Sequence, residues 1–286
     1  MAVKVVTDST SYLPLYLREE FDISVVSLSV SFGPETYREE EIDNSVFYKK
    51  MEESSSLPLS SQPSPQVFFE VFEKLVKEGH EVLGVFISSD MSGTYSTAQM
   101  AKKMIKDCYS GAVIEIIDSR SNCMELGFAA LAAARVAKEG KTIEQAVLEA
   151  QRVMARSRFL FVPKTLDYLK KGGRMGGAAA LLGSILQIRP ILTVIEGKTA
   201  VMAKVRTMDK AVQTMLEQLY KDIKLKGLGD IIVHHINSEP EGRRLAGVIE
   251  EKLSIKVPVF TIGPVIGLHV GPGSIGVVYY TKEELS

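Results

Sequence analysis

The chain has 286 residues, enough for one large or two medium domains. Its 34 basic and 35 acidic side chains leave a formal net charge of -1, so it carries no field that would draw nucleic acid or an anionic membrane surface. Two cysteines, Cys108 and Cys123, support neither a disulfide framework nor a cysteine metal cluster, and both are expected as buried thiols.

Residues 3–7 form a short apolar strand that ends in Asp8-Ser9-Thr10, just before a helix over 13–20. Polar residues at that point serve either as a cap and turn or as the rim of a ligand cleft. Residues 23–32 read as a second strand, broken by Gly33-Pro34, and the acidic stretch 38–43 as a solvated loop. A short helix over 46–53 precedes a serine- and proline-rich segment, 54–65, that reads as a flexible linker or as a rigid, hydroxyl-rich binding loop. Pro65 is placed to begin a helix over 66–77. The apolar run 82–87 is a buried strand, and apolar residues recur at helical spacing from Ala98 to Ile105. Ser88-Ser89-Asp90-Met91-Ser92-Gly93-Thr94 between them is therefore a strand-to-helix turn. Such a turn offers free N–H groups and hydroxyls to an anion, or simply caps its helix.

A strand over 113–117 and helices over 124–138 and 143–157 follow. Strands alternating with helices to this point indicate an α/β domain, residues 1–158, with a mainly parallel layered sheet. From 159 the pattern changes. A strand over 159–162 and a helix over 164–171 end in Gly172-Gly173-Arg174-Met175-Gly176-Gly177, and a small-residue helix spans 178–188. Strands over 191–195 and 200–205 flank the hairpin signal Glu196-Gly197-Lys198. A helix over 208–225, a strand over 231–235, a helix over 240–253, a strand over 257–262 and a last strand over 275–281 complete a second, smaller α/β domain, 159–286, with a mixed or antiparallel sheet. A strand begins at Val3 with no basic, cleavable leader before it, and no apolar run is long enough to span a bilayer. The expectation is a cytoplasmic protein whose membrane contact is at most transient.

Several motifs fail on inspection. A phosphate loop needs glycine five residues before its Gly-Lys-Thr; those positions hold Arg135 and Leu192 ahead of Gly140-Lys141-Thr142 and Gly197-Lys198-Thr199. Gly271-Pro272-Gly273-Ser274-Ile275-Gly276 matches a dinucleotide fingerprint but precedes a strand, not a helix. The four histidines, His80, His234, His235 and His269, lie in no zinc-binding context, so no metal is expected. His269 stands among glycines and prolines, where core packing does not account for it.

Five stretches taken together resemble the DegV family: Val6-Thr7-Asp8-Ser9-Thr10, Ser60-Ser61-Gln62-Pro63-Ser64, Ser92-Gly93-Thr94-Tyr95, Tyr168-Leu169-Lys170-Lys171-Gly172-Gly173-Arg174 and Gly267-Leu268-His269-Val270-Gly271-Pro272-Gly273. The likeness spans nearly the whole chain in the family's order. It implies a bacterial fatty-acid-binding protein of two α/β domains with the acyl chain buried, serving as the binding subunit of a fatty acid kinase. A separate ATP-binding subunit would phosphorylate the presented carboxylate to an acyl phosphate for phospholipid synthesis. On this resemblance Ser60, Ser92 and His269 contact the carboxylate, and Arg174 matches a motif arginine near the same region. Ser60 stands where threonine is more usual and keeps the hydroxyl.

The chemistry agrees with that expectation. Hydroxyls and backbone N–H groups, with a histidine either neutral or charged, hold a carboxylate without the bidentate arginine clamp that would withhold it from a kinase. No residue set here activates ATP, so the expected ligand is a long-chain fatty acid, with no cofactor and no catalytic residue in this chain. Two other readings stay open: a serine-dependent acyl hydrolase or transferase using Ser92 with His269 as base, though the G-x-S-x-G elbow is absent, and a lipid carrier without a kinase partner.

Overall fold

The computed structural model describes residues 2–181 and 188–285. The chain opens with β1 (Val3–Asp8), a tight single turn at Ser9–Ser11, and α1 (Leu15–Glu20). The expected strand over 23–32 is two strands, β2 (Ser24–Val26) and β3 (Ser29–Phe32), which join different sheets. β3 turns at Gly33, φ +57°, into β4 (Glu35–Arg38), an exposed edge strand without the apolar alternation that would announce it. α2 (Asn44–Glu53) starts two residues earlier than expected, because the Asp43 carboxylate accepts from the N–H groups of Ser45 and Val46 at 2.7 and 3.3 Å. β5 (Leu59–Ser61) lies within the serine-proline segment, and α3 (Pro65–Lys77) begins at its proline with Ser64 as cap.

β6 (Glu81–Phe86), α4 (Thr94–Cys108), β7 (Ile114–Asp118), α5 (Cys123–Lys138), α6 (Ile143–Arg156) and β8 (Ser157–Val162) then follow the expected order. α7 (Asp167–Lys171) ends in the glycine turn. Gly176–Leu181 coils as a 3-10 helix, and the rest of the small-residue helix expected over 178–188 lies largely outside the described residues. The chain continues through β9 (Arg189–Ile195), β10 (Lys198–Val205), α8 (Met208–Lys226), β11 (Leu228–His235), α9 (Glu239–Leu253) and β12 (Val259–Thr261). A helix not anticipated, α10 (Pro264–Val270), precedes β13 (Ile275–Thr281).

These elements form two compact units. The first comprises Met1–Glu41 and Ser60–Met154; the second comprises Ile42–Leu59 and Ala155–Ser286. A division at 158/159 does not anticipate that α2 groups with the C-terminal half. In the first unit, four parallel strands run in the order β2-β1-β6-β7. α3 and α4 bury Phe68, Phe72, Ala98, Ala101 and Ile105 against Val6, Val82, Phe86 and Ile114 of one face. α5, alanine-rich and buried from Cys123 to Ala134, runs along β1 and β6. β3, β4 and β5 make a small separate sheet in the order β4-β3-β5.

In the second unit, six strands run in the order β10-β9-β8-β13-β11-β12, antiparallel except for the β11–β12 pair. This is the mixed sheet expected, although the domain expected to be smaller carries the larger sheet. α8 and α9 cover one face, burying Ala211, Met215, Leu219, Leu245 and Ile249 against Leu160, Val162, Val233 and Val277. Within this unit the Asp222 carboxylate is 6% exposed and is held three ways. Tyr279 donates its hydroxyl at 2.7 Å, Gln218 its amide at 2.9 Å, and the Arg158 guanidinium lies at 3.1 Å.

Removing one side of a buried ion pair strands the other, whereas removing one neutral donor leaves the charge compensated. Asp222→Ala should therefore cost about 3–5 kcal/mol, and Tyr279→Phe about 1–2 kcal/mol. Equilibrium chemical denaturation of both variants measures the difference. Equal losses would show that the charge of Arg158 does not anchor the network.

Candidate functional site

In the first unit the candidate residues gather at the carboxyl ends of the parallel strands, where helices begin and ligands of open α/β sheets bind. The turn from β6 to α4 is tied to the loop after β7: Ser88 donates its N–H to the Ser121 carbonyl at 2.8 Å, and Ser89 its hydroxyl to Asp118 at 2.6 Å. Asp90 pairs with Arg120 at 2.6 Å. β1 is fastened to the same turn by Asp8, which is fully buried and accepts from Ile87 N at 2.8 Å and Thr10 N at 2.9 Å. Burial raises its pKa to about 6, against the lowering effect of those hydrogen bonds. Asp8 therefore acts as a cap and inter-strand tie, not as the rim of a cleft.

Ser92 stands one residue ahead of the cap position of α4, which Gly93 occupies with no side chain to offer. Its half-buried hydroxyl shares a 2.8 Å hydrogen bond with the Thr94 hydroxyl and accepts from Thr94 N at 3.3 Å. With no Cβ at Gly93, the side-chain amide of Gln62 packs directly against its backbone. Gln62 also donates to the Thr97 hydroxyl at 3.1 Å. Ser60, half-buried in β5, is two residues from this contact. The serine-proline segment is thus an ordered loop seated on the start of α4, and it brings the stretches carrying Ser60 and Ser92 together. Gln62 is the residue that joins them; its motif was legible, but its contacts with Gly93 and Thr97 were not.

His269 and Arg174 belong to the second unit. α10 was hidden in a run of glycines and prolines that proves to be its punctuation: Pro264 opens it and Gly271, φ +93°, closes it. Every residue of α10 is buried. Gly267 admits the phenol of Tyr48, whose hydroxyl donates to the carbonyls of Ile262 and Gly263 at 3.2 and 3.3 Å. His269, 9% exposed, lies against Gly172 so closely that a Cβ there would overlap its Nδ1. Arg174, exposed, donates to the Gly172 carbonyl at 2.7 Å. The structure therefore brings His269 to the glycine turn that carries Arg174. Burial, assisted by the Arg174 charge, lowers the pKa of His269 to about 4. Of the two charge states the sequence leaves open for His269, this favours the neutral ring at pH 7.

The remaining expectations divide. Cys123 is buried, with its thiol pKa raised by burial, but Cys108 is exposed at the end of α4. The two Gly-Lys-Thr triplets sit in the α5–α6 connection and the β9–β10 hairpin, and the dinucleotide-like run enters β13. No group of three metal-ligating side chains occurs among the described residues. No helix among them is long and apolar enough to cross a membrane.

The comparisons with known proteins agree with one another along the whole chain. A family model described as "Uncharacterised protein, DegV family" matches residues 2–282. A DegV domain-containing protein of Clostridium acetobutylicum is 54% identical over 285 residues, the whole of both chains. The crystal structure of DegV, a fatty acid binding protein from Bacillus subtilis, superimposes with a TM-score of 0.88 at 33% identity, covering 99% of this chain and 100% of that one. A stearic acid-binding protein from Eubacterium ventriosum superimposes with a TM-score of 0.90 at 29% identity, covering 98% of each. With a match from end to end and more than half its residues shared with one relative, the chain belongs to the DegV family.

Proposed function

We propose that this protein binds a long-chain fatty acid with the acyl chain buried and presents its carboxylate to a separate ATP-dependent kinase subunit, which forms the acyl phosphate used in phospholipid synthesis. The observation that carries the reading is the full-length structural likeness to proteins described as fatty-acid-binding. Ser60, Ser92, His269 and Arg174 are the proposed head-group residues, with the C-terminal part of the chain completing the lipid site.

Each residue has a definite capacity in that role. Ser92 and Ser60 donate a hydroxyl each, and the start of α4 adds backbone N–H groups that Gly93 leaves uncapped by a side chain. His269, neutral, donates a single ring N–H. Arg174 contributes charge from an exposed position while one guanidinium N–H stays on Gly172. Burying about fifteen methylenes at ~0.8 kcal/mol each gives roughly 12 kcal/mol gross, so the chain, not the head group, dominates retention. The serine-hydrolase reading is disfavoured by the β6–α4 turn, where the Ser92 hydroxyl engages the Thr94 hydroxyl.

Protein purified from cells should release a free fatty acid on solvent extraction, read by mass spectrometry. An empty protein that also failed to bind added fatty acid would refute the proposal. A hydrogen bond to a charged acceptor contributes about 1.5–3 kcal/mol, while phosphoryl transfer needs the reacting atoms within about 3–3.5 Å. Ser60→Ala, Ser92→Ala and His269→Ala should each cut acyl-phosphate formation with the cognate kinase at least tenfold and retention by less. Turnover that fell only in proportion to bound fatty acid would count against presentation as their role.

The neutral state of His269 gives a second test. Its loss on His269→Ala should be the same from pH 8 down to pH 6, measured as fatty-acid affinity. The folded pKa, about 4, lies below the ordinary value of 6.5, so the unfolded chain binds more protons between the two. Stability is therefore complete above pH 6.5 and declines as pH falls toward 4. His269→Ala should flatten that decline by up to about 1.4 kcal/mol per pH unit. An affinity defect that disappeared between pH 6 and 7 would identify a charged imidazole instead.

A further inference from the structure

The six-strand sheet of the second unit contains one parallel pair, β11 and β12, joined through α9. Ligands of such strand–helix–strand units sit beyond the carboxyl ends of the strands, where the connecting helix begins. A cavity of about 560 Å³ opens there, a size suited to a small molecule. His235 and Thr261, paired in register, end the two strands, and both line it. Asn237 and Ser238 line it from the connecting loop and Glu239 from the start of α9. Asp43 and Asn44 face it from the start of α2, in the same unit.

His235 is 7% exposed, and only one side of its ring is engaged. Its Nδ1 accepts from Ser238 N at 3.3 Å. A backbone N–H can only donate, so Nδ1 carries no proton, and the neutral ring holds its proton on Nε2. Burial lowers the pKa of the ring and keeps it neutral. The bond at Nδ1 is the ring's one hydrogen bond among the described residues, so the Nε2–H donor is left over. A buried donor facing a cavity calls for an acceptor. The same tautomer is unfit for a metal ion, because Nε2 has no lone pair to give.

The rest of the lining supplies both halves of a hydrogen bond. The side-chain amides of Asn44 and Asn237 make none among the described residues. Asp43 commits Oδ1 to the cap of α2, and Glu239 commits Oε1 to Arg243, which leaves one oxygen of each carboxylate. Ser238 gives its hydroxyl to Glu241 and does not cap α9. Two carboxylates beside a neutral histidine repel an anion, and a bare cation would leave Nε2–H without its acceptor. A neutral ligand rich in hydroxyls meets both needs, since each hydroxyl accepts and donates. Val259 and Pro240 offer apolar contact to its carbon framework.

We propose that this cavity binds a neutral polyhydroxylated small molecule, a sugar or cyclic polyol. Its hydroxyls accept from His235 Nε2–H and Asn237 and donate to Asp43 and Glu239. The site shares no residue with the proposed head-group set and stands independently of the fatty-acid reading.

Two variants test it without disturbing the fold. Asn237 has φ +45°, which glycine adopts freely, so Asn237→Gly removes the amide and keeps the backbone. Asparagine caps a helix as well as aspartate, so Asp43→Asn keeps α2 and removes the charge. Glucose, maltose and myo-inositol, with glucuronate as the anionic control, are titrated into the full chain while the proton–nitrogen spectrum of its imidazoles is followed. His235 should be protonated on Nε2, and its signal should shift saturably with at least one neutral probe and not with glucuronate. Each variant should weaken that binding by about threefold to tenfold, the worth of one hydrogen bond, with melting temperature and fatty-acid retention unchanged. No saturable shift with any neutral probe, equal binding of glucuronate, or undiminished affinity in both variants would overturn the site and leave the fatty-acid reading untouched.

Discussion

The Asp8 carboxylate ties together the strand ends on which the candidate head-group residues of the first unit depend. Two central parallel strands must end level if a turn between them is to present its groups in register, and Asp8 levels them by accepting from Ile87 N at the end of β6. That tie costs stability at neutral pH, since burial holds the pKa of Asp8 near 6 and the folded state prefers it protonated. A buried acid of this kind is tolerated where it determines geometry. The β6–α4 turn follows directly from it. On that turn rest Ser92, the glycine that lets Gln62 approach, and through Gln62 the loop of Ser60.

Three of the four proposed head-group donors are neutral; Arg174 alone carries charge, from an exposed position. The hydroxyls of Ser60 and Ser92 are neutral by nature, and His269 is made neutral by burial in α10 beside Arg174. The guanidinium of Arg120, on the loop tied to the Ser92 turn, is paired with Asp90 and Asp118. An anion met by neutral dipoles keeps its nucleophilic oxygens less tightly bound than one in a bidentate salt bridge.

Much of this was legible in the residues. The parallel sheet announced itself through apolar runs alternating with amphipathic helices, and the β9–β10 hairpin through Glu196-Gly197. The four candidate residues were legible as motif positions rather than from local pattern. What escaped was set by long-range contact. α10 was obscured because glycines and prolines spaced along it resemble a loop until Gly267 is seen to admit Tyr48. β4 was missed because an exposed edge strand needs no apolar alternation. The charge state of His269 depends on burial, which no local pattern records.

The passage of the chain through the two units has a consequence for biosynthesis. α2 leaves the ribosome early, yet its Tyr48 hydroxyl is satisfied by carbonyls 214 and 215 residues further along. The second unit therefore cannot close until translation is nearly complete, while the strands of the first unit's parallel sheet are all present once β7 has emerged. During that interval Tyr48, buried in the finished protein beside Phe47 and Met51 of the same helix, waits without its C-terminal partners. Contacts of such separation are late and entropically costly to form, and the apolar surface exposed in the meantime invites chaperone capture or misassembly. Nascent chains halted before residue 262 should accordingly be a natural substrate for holding chaperones, with the N-terminal sheet already formed.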